Sequence, residues 1–226
     1  MISKPDRYLR LGLLHTAEIH QARFDALLSH ESDATAVHLS APALLQEAIN
    51  EGLTDKVMAK VRAAVDSLVS QNVDGILCTC STLGDLVEQL SSPACPCLRI
   101  DRPMALSAVT HGESIGVLVS VASTLAPTWA LFEDSATSTG TQPEIKLYVA
   151  EGAWEAFERG DTETYLALVR AAAQQLLRAH DVVALAQVSM ADAAHGLLAE
   201  GKRVLSSPES GLQHMLALLR ERSVRS

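Results

Sequence analysis

Two stretches of the chain share a pattern in which a short apolar run ends abruptly in polar residues. The first, Val73 to Leu77, leads into Cys78-Thr79-Cys80-Ser81-Thr82-Leu83-Gly84, and the second, residues 182–186, leads into Gln187-Val188-Ser189. Apolar residues on both faces are typical of buried parallel strands, and open α/β sheets bind ligands just outside the carboxyl ends of such strands. The pattern therefore predicts a duplicated architecture with chemistry at two strand ends, of which only the first carries a cysteine.

Apolar positions elsewhere recur at helical spacing. One helix is predicted from an N-cap at Thr54 to about Ser70, and another after an N-cap at Asp161. Further helices are predicted at 19–30, 83–90, 126–132 and 208–222, and another from 101 onward. Further strands are predicted at 8–14, 36–39, 97–100, 114–119 and 144–149. Residues 134–143 are predicted to form a surface loop. Strands that alternate with helices favour parallel sheets joined by right-handed crossovers.

Composition narrows the class of protein. The 226 residues suit one large domain or two lobes of about 100 residues each. The chain has 18 basic and 27 acidic residues, a net charge of −9 and no basic cluster, so nucleic acid is not an expected partner. The segment Met1–Arg10 is polar and no apolar run reaches the roughly 20 residues that cross a bilayer. We therefore expect no membrane association, and a cytoplasmic location in which the four cysteines are reduced.

Cys80 is the candidate catalytic residue. A helix predicted just after it would lower the thiol pKa through its dipole and free N–H groups, which would make Cys80 the most reactive of the four cysteines. The alternative is a buried thiol that packs as a small hydrophobe. A third interpretation takes the pairs Cys78-x-Cys80 and Cys95-x-Cys97 as metal ligands, although zinc sites usually have wider spacing within a pair.

The remaining candidates are polar side chains at predicted strand ends. His15 and Thr16 follow the first strand, where they either contact a substrate carboxylate and shift the pKa of Cys80 or form a surface or supporting pair. Hydroxyl groups bind carboxylates but also cap helices, so both roles stay open for Ser81, Thr82, Ser123 and Thr124. Gln187 and Ser189 either orient a substrate or satisfy backbone groups.

In their order and spacing these motifs resemble the aspartate/glutamate racemase superfamily, over about Tyr8 to Leu219. Cys80-Ser81-Thr82 stands where that family has Cys-Asn-Thr at a strand tip. The strand at 115–118, followed by Ser123-Thr124, resembles the glycine-containing strand and Thr-rich turn that open its second lobe. The segment 185–191 stands where the racemases have Gly-Cys-Thr-His, and Gln187 takes the place of the cysteine.

The resemblance implies an α/β fold with two similar parallel-sheet lobes, flanking helices and a cleft between them for a small carboxylic acid. It divides the chain into an N-terminal lobe, residues 1–104 completed by the C-terminal helix in 205–226, and a second lobe, residues 105–204.

The resemblance also bears on mechanism. In racemases of this family, two cysteines face each other across the substrate α-carbon. One thiolate removes the proton and the opposite thiol returns one, without metal or pyridoxal phosphate. An amide neither gives nor takes that proton, so with Gln187 in the second position the chain is expected to be a one-cysteine variant that lacks two-thiol racemisation.

The expected function is that of a cofactor-independent enzyme of the isomerase type, acting on a small carboxylic or amino acid through Cys80. Isomerisation, decarboxylation or proton exchange on one face fits a single thiol. The alternative is a non-catalytic protein with the same fold, either a small-carboxylate binding protein or a regulatory protein. The absence of a second thiol favours this alternative. A small carboxylate is the expected partner, no metal or other cofactor is expected, and homo-oligomerisation stays open.

Overall fold

A computed structural model describes residues 8–197 and 201–225; the polar segment before Tyr8 lies outside them, as do residues 198–200 and 226. Within the described residues the chain forms two compact units, 8–100 with 211–225 and 101–197 with 201–210. Each unit contains one four-stranded, all-parallel sheet with flanking helices. The predicted α/β class with two parallel-sheet lobes is confirmed.

The sheet of the first unit has the strand order β2-β1-β3-β4. Its strands are β1 (Leu9–His15), β2 (Ala34–Ser40), β3 (Gly75–Cys78) and β4 (Cys97–Arg99). Its helices are α1 (Ile19–Leu28), α2 (Pro42–Glu51), α3 (Asp55–Val69) and α4 (Gly84–Glu88), joined by the C-terminal helix α9 (Pro208–Arg225) from residue 211 onward. Because β1 pairs with β3, the segments that follow these two strands leave the sheet side by side.

The sheet of the second unit repeats this topology with the order β6-β5-β7-β8. Its strands are β5 (Ser114–Val119), β6 (Glu144–Val149), β7 (Val182–Leu185) and β8 (Arg203–Ser206). Its helices are α5 (Arg102–His111), α6 (Leu125–Thr139), α7 (Ala153–Glu158) and α8 (Thr162–Ala179), with short 3₁₀ helices at Ala122–Thr124 and Val188–Ala194. Here β5 pairs with β7, as β1 pairs with β3.

Both N-caps predicted from the sequence are confirmed. The Thr54 side chain accepts a hydrogen bond from the Val57 N–H, and the Asp161 side chain accepts one from the Thr164 N–H. Each cap satisfies one of the free N–H groups of the first turn. The apolar face predicted for α3 is buried in the core of the first unit through Val57, Val61, Val65 and Leu68.

The prediction of a surface loop at 134–143 is wrong, because α6 continues to Thr139. Ser135 and Thr139 donate side-chain hydrogen bonds to carbonyls one turn earlier, those of Leu131 and Ser135, so both hydroxyls are satisfied within the helix. The helix ends where Gly140 adopts a left-handed conformation. The pattern also missed α2, α7 and β8, and the helix predicted at 83–90 spans only Gly84–Glu88.

The C-terminal helix α9 packs closely on the first unit. Met215 and Leu219 are buried and reach the backbone of Gly75 in β3. Hydrogen bonds from Gln213 and Arg220 hold the pKa of the Glu31 carboxyl below its usual value, and hydrogen bonds from Arg220 do the same for Asp33. The tightest approach is at Gly211, whose missing side chain leaves room for the carbonyl oxygen of Ile100.

None of the helices within the described residues combines the length and the apolar character that a membrane-spanning segment needs.

Replacing Gly211 by alanine should destabilise the protein, although alanine alone favours a helix over glycine by about 1 kcal/mol. A β-carbon there would overlap the Ile100 carbonyl oxygen, a backbone atom that cannot move aside by rotation. Overpacking of this kind costs roughly 1–3 kcal/mol, so we expect a net loss in chemical denaturation of about 1 kcal/mol or more. His214→Ala, at an exposed position of the same helix, should change stability by no more than about 0.5 kcal/mol. An unchanged or higher free energy of unfolding for Gly211→Ala would contradict this packing.

Candidate functional site

The candidate residues of the first unit lie at the carboxyl ends of β1 and β3. His15 is the last residue of β1 and Thr16 follows it, while Cys80, Ser81 and Thr82 follow β3. The Thr79 N–H donates to the Leu14 carbonyl at 3.0 Å and so extends the pairing of these strands beyond β3. The structure thus brings together the five candidates that the sequence placed at these two ends, and all of them are buried.

Hydrogen-bond donors surround the thiol of Cys80. Donor groups of Thr16, Leu83 and Thr82 lie beside the thiol and favour the thiolate form. Burial has the larger effect, however, and raises the pKa of the Cys80 thiol above its usual value. The expectation of a lowered pKa is wrong for two reasons: the thiol is buried, and α4 has only five residues, which gives it a weak dipole.

Arg99, which the sequence analysis missed, supports the loop that carries Cys80. It ends β4, is almost fully buried, and its guanidinium donates to the Ser81 carbonyl at 3.3 Å. A β-carbon at Gly84 would lie 2.8 Å from the Arg99 Cβ, so the loop can pack this closely against the Arg99 side chain only because residue 84 is glycine. In the sequence, the feature that could have identified Arg99 is its position as a single charged residue at the end of the short strand 97–99.

His15 is fully buried and is engaged within the protein through both ring nitrogens. Its Nδ1 lies 2.9 Å from Thr79 Oγ1 and its Nε2 lies 2.8 Å from His38 Nδ1. Burial, together with the neighbouring His38 and His20, lowers the pKa of His15 to about 3, so the ring is neutral near pH 7. The surface interpretation of His15 is wrong, and a neutral ring with both nitrogens occupied supports the strand end instead of forming an ion pair with a carboxylate.

The second unit places its candidates at the ends of β5 and β7. Gln187 Oε1 accepts two hydrogen bonds from Ser120, one from its N–H at 2.5 Å and one from its hydroxyl at 2.9 Å. Ser189 Oγ lies 2.6 Å from the hydroxyl of Tyr165, a buried side chain of α8. Burial raises the pKa of Tyr165, so this network is uncharged at neutral pH. Gln187 and Ser189 therefore lie in one hydrogen-bonded network with Ser120 and Tyr165.

The two units build these strand ends in the same register. Leu14 is paired with Cys78 in the first sheet, and Leu118 is paired with Leu185 in the second. Two residues further along, the equivalent pairs are Thr16 with Cys80 and Ser120 with Gln187, and a hydrogen bond joins each pair. Gln187 is thus the topological counterpart of Cys80 within its own unit.

Ser123 and Thr124 lie at the start of α6 and carry unsatisfied hydroxyl groups. The oxygen atoms of both side chains are buried and have no hydrogen-bond partner in the part of the chain that the structure describes. Thr124 is the N-cap residue of α6, but its side chain does not bond to the helix. A buried hydroxyl without a partner costs roughly 1–3 kcal/mol, and a bound carboxylate would relieve this cost.

The other three cysteines are also free and buried. The Cys78 thiol donates to the Cys80 carbonyl oxygen at 3.5 Å and the Cys97 thiol to the Cys95 carbonyl oxygen at 3.7 Å, and the Cys97 side chain lowers the pKa of Cys95. Across residues 8–197 and 201–225, no three histidine, cysteine or acidic side chains are grouped so that they could hold a metal ion.

These features define what the strand ends can do chemically. The first unit offers one thiol with donors arranged around its sulfur, and the second offers hydroxyl and amide groups without a thiol. A thiol with a raised pKa forms less thiolate near pH 7, but the thiolate is a stronger base once formed. The groups of the first unit suit transfer of a proton by one thiol, and those of the second unit suit hydrogen bonding to an anionic ligand.

Comparison with known proteins places this geometry in a recognised fold. No family model matches the chain, and no curated protein matches it. A glutamate racemase of Bacillus anthracis has a similar structure, with a TM-score of 0.68 and 15% sequence identity over 96% of this chain and 83% of that one. An aspartate racemase of Picrophilus torridus matches with a TM-score of 0.68 and 14% identity over 94% of each chain.

An allantoin racemase of Pseudomonas fluorescens is similar as well, with a TM-score of 0.62 and 15% identity over 94% of this chain and 91% of that one. The matches span most of both chains and therefore include both sheets. On this evidence the chain has the two-unit α/β fold of the glutamate, aspartate and allantoin racemases.

Proposed function

We propose that the protein is a cofactor-independent enzyme that acts on a small carboxylic or amino acid, with Cys80 as its one proton-transferring group. The observation that carries the proposal is the position of Cys80 at the end of a central strand, beside Thr16, Leu83 and Thr82, whose donor groups favour its thiolate. A cysteine that only fills space needs no such donors, whereas a thiolate intermediate does. The fold shared with racemases supports a reaction of the isomerase type.

The chemistry of Gln187 supports a reaction on one face of the substrate. The backbone N–H of Ser120 can only donate, so the atom that it contacts on Gln187 must be the amide oxygen. The amide group therefore has only its two N–H donors left to offer to a ligand. Such donors bind a carboxylate but cannot return a proton to carbon, which leaves Cys80 as the sole base in the proposal.

Substrate binding is assigned to hydroxyl and amide donors. Ser123 and Thr124 carry unsatisfied buried hydroxyls, and a carboxylate is the acceptor that would satisfy both. Thr16 and Thr82 would stabilise the Cys80 thiolate and Ser81 lies at the same strand end, whereas Ser189 lies at the end of β7 in the second unit. Free thiols are consistent with a cytoplasmic enzyme, which we keep as part of the proposal.

One observation favours a second candidate function. Burial raises the pKa of the Cys80 thiol, and a thiol that stays protonated near neutral pH suits a protein that binds small carboxylates without reaction. The two functions differ in one outcome, exchange of the substrate α-proton, because binding alone leaves that proton in place.

We expect the wild-type protein to exchange the α-proton of one enantiomer of aspartate or glutamate in heavy water, without forming the mirror-image amino acid. One thiolate can remove a proton and return a deuteron on the same face, whereas inversion needs a second acid opposite. Cys80→Ser should slow exchange by about 10²–10⁴-fold, the usual contribution of a positioned acid–base group. Mass spectrometry reports the deuterium, and chiral chromatography reports inversion.

Cys95→Ser is the matched control for this experiment and should leave the exchange rate unchanged. Racemisation by the wild type, or exchange that survives Cys80→Ser, would contradict the one-thiol mechanism. Binding of either amino acid without any exchange would instead establish the carboxylate-binding function.

Gln187→Glu should weaken carboxylate binding. The substitution keeps the oxygen that accepts from Ser120 but replaces the NH₂ group by a charged oxygen, which repels a carboxylate. We expect the affinity for aspartate or glutamate, measured by calorimetry, to fall at least about tenfold, or about 1.4 kcal/mol. Gln174→Glu adds the same charge at an exposed position of α8 and should leave the affinity unchanged. Equal affinities of Gln187→Glu and the wild type would remove Gln187 from the binding site.

A further inference from the structure

A continuous chain of hydrogen bonds leads from the surface of the first unit to the residue before Cys80. Asp25 Oδ1 lies 3.0 Å from His38 Nε2, His38 Nδ1 lies 2.8 Å from His15 Nε2, and His15 Nδ1 lies 2.9 Å from Thr79 Oγ1. The Asp25 side chain is 65% exposed and the His38 side chain 16%, while His15 is fully buried. The two histidine rings lie edge to edge, with an angle of 20° between their planes and their centroids 5.1 Å apart.

The protons available to this chain allow only two complete arrangements while His15 is neutral. Thr79 has one hydroxyl proton and two acceptors in reach, His15 Nδ1 and the Leu14 carbonyl oxygen at 3.2 Å. If the hydroxyl donates to His15 Nδ1, then His15 Nε2 carries the ring proton and donates to His38 Nδ1. His38 is then neutral, with its single proton on Nε2 directed at Asp25.

If the hydroxyl instead donates to Leu14, both hydrogen bonds of His15 are reversed. His15 Nδ1 then carries the ring proton and donates to Thr79, and His15 Nε2 accepts from His38 Nδ1. Because His38 Nε2 still faces the Asp25 carboxylate, His38 carries protons on both nitrogens and is an imidazolium. The two arrangements thus differ by one proton, which is gained or lost at His38.

Both arrangements satisfy the buried groups. The Leu14 carbonyl accepts from the Thr79 N–H at 3.0 Å whichever way the hydroxyl points, so it is never left without a partner. Burial keeps His15 neutral in either case, since its pKa is lowered to about 3. The titratable groups that act on His15 are His38 from β2 and His20 and Asp25 from α1, with Arg23 acting in turn on His20. His20 is itself neutral near pH 7, because burial lowers its pKa to about 4.

We propose that Asp25, His38, His15 and Thr79 form a proton-coupled relay, in which proton uptake from solvent at His38 switches the tautomer of His15 and turns the Thr79 hydroxyl. The proton enters at the partly exposed ring of His38, and the carboxylate of Asp25 balances its charge. Uptake of this proton reverses the hydrogen bonds of the buried His15 and turns the Thr79 hydroxyl, while His15 itself stays neutral. The relay lies within the first unit and does not depend on the proposed enzymatic function.

Nitrogen-15 spectra of histidine-labelled protein test the relay, since they report which ring nitrogen of each histidine carries a proton. As the pH falls and His38 becomes doubly protonated, His15 should move its proton from Nε2 to Nδ1 with the same midpoint and stay neutral. A single His15 tautomer throughout the titration of His38, or a charged His15 in its place, would overturn the proposal.

Variants identify the source of the transition. In His38→Gln, whose side chain does not titrate, His15 should keep one tautomer between about pH 5 and pH 8, the range in which histidine ordinarily changes charge. His30→Gln removes an exposed histidine of the same unit and should leave the His15 transition unchanged. A His15 tautomer change that persists in His38→Gln would also contradict the relay, and the wild-type titration decides the question if that variant does not fold.

Discussion

The burial of polar strand ends is the constraint on which the rest of this structure depends. Parallel strands covered on both faces leave only their ends for polar chemistry, and here those ends are themselves almost out of contact with water. A buried polar group must find hydrogen-bond partners or become expensive. The networks around Cys80, His15 and Gln187 each meet this requirement without burying a net charge.

The two units meet the constraint with one geometry and different functional groups. In each unit, a hydroxyl residue follows the first strand of the sheet, two positions after the last pair with the neighbouring strand, and lies beside a side chain at the end of that neighbouring strand. Thr16 meets a thiol in the first unit, whereas Ser120 meets an amide in the second. The scaffold thus repeats while the chemistry does not, as expected if function resides in sites carried by a fold.

The sequence pattern predicted the sheets, because apolar runs, polar strand ends and N-caps such as Thr54 are local signals. It could not predict the helical end of α6, where Ser135 and Thr139 reach their own backbone in a way that composition does not reveal. It missed Arg99 and His38 because their partners are distant in sequence, Ser81 and His15. It also gave the wrong direction for the pKa of Cys80, since helix length and burial are set only by the fold.

At Cys80 burial outweighs the neighbouring hydrogen-bond donors, so the thiol is protonated in the free protein at neutral pH. Site-resolved alkylation by iodoacetamide, read by mass spectrometry, tests this claim most directly. Cys80 and Cys95 are both buried residues, 7% and 6% exposed, and at a thiol that the reagent reaches the fraction of thiolate sets the rate of reaction. Burial raises the pKa of Cys80, whereas the hydrogen bond from Cys97 lowers that of Cys95. We expect Cys95 to be modified first; modification of Cys80 ahead of Cys95 near pH 7 would show that the Cys80 thiol is not held in its protonated form.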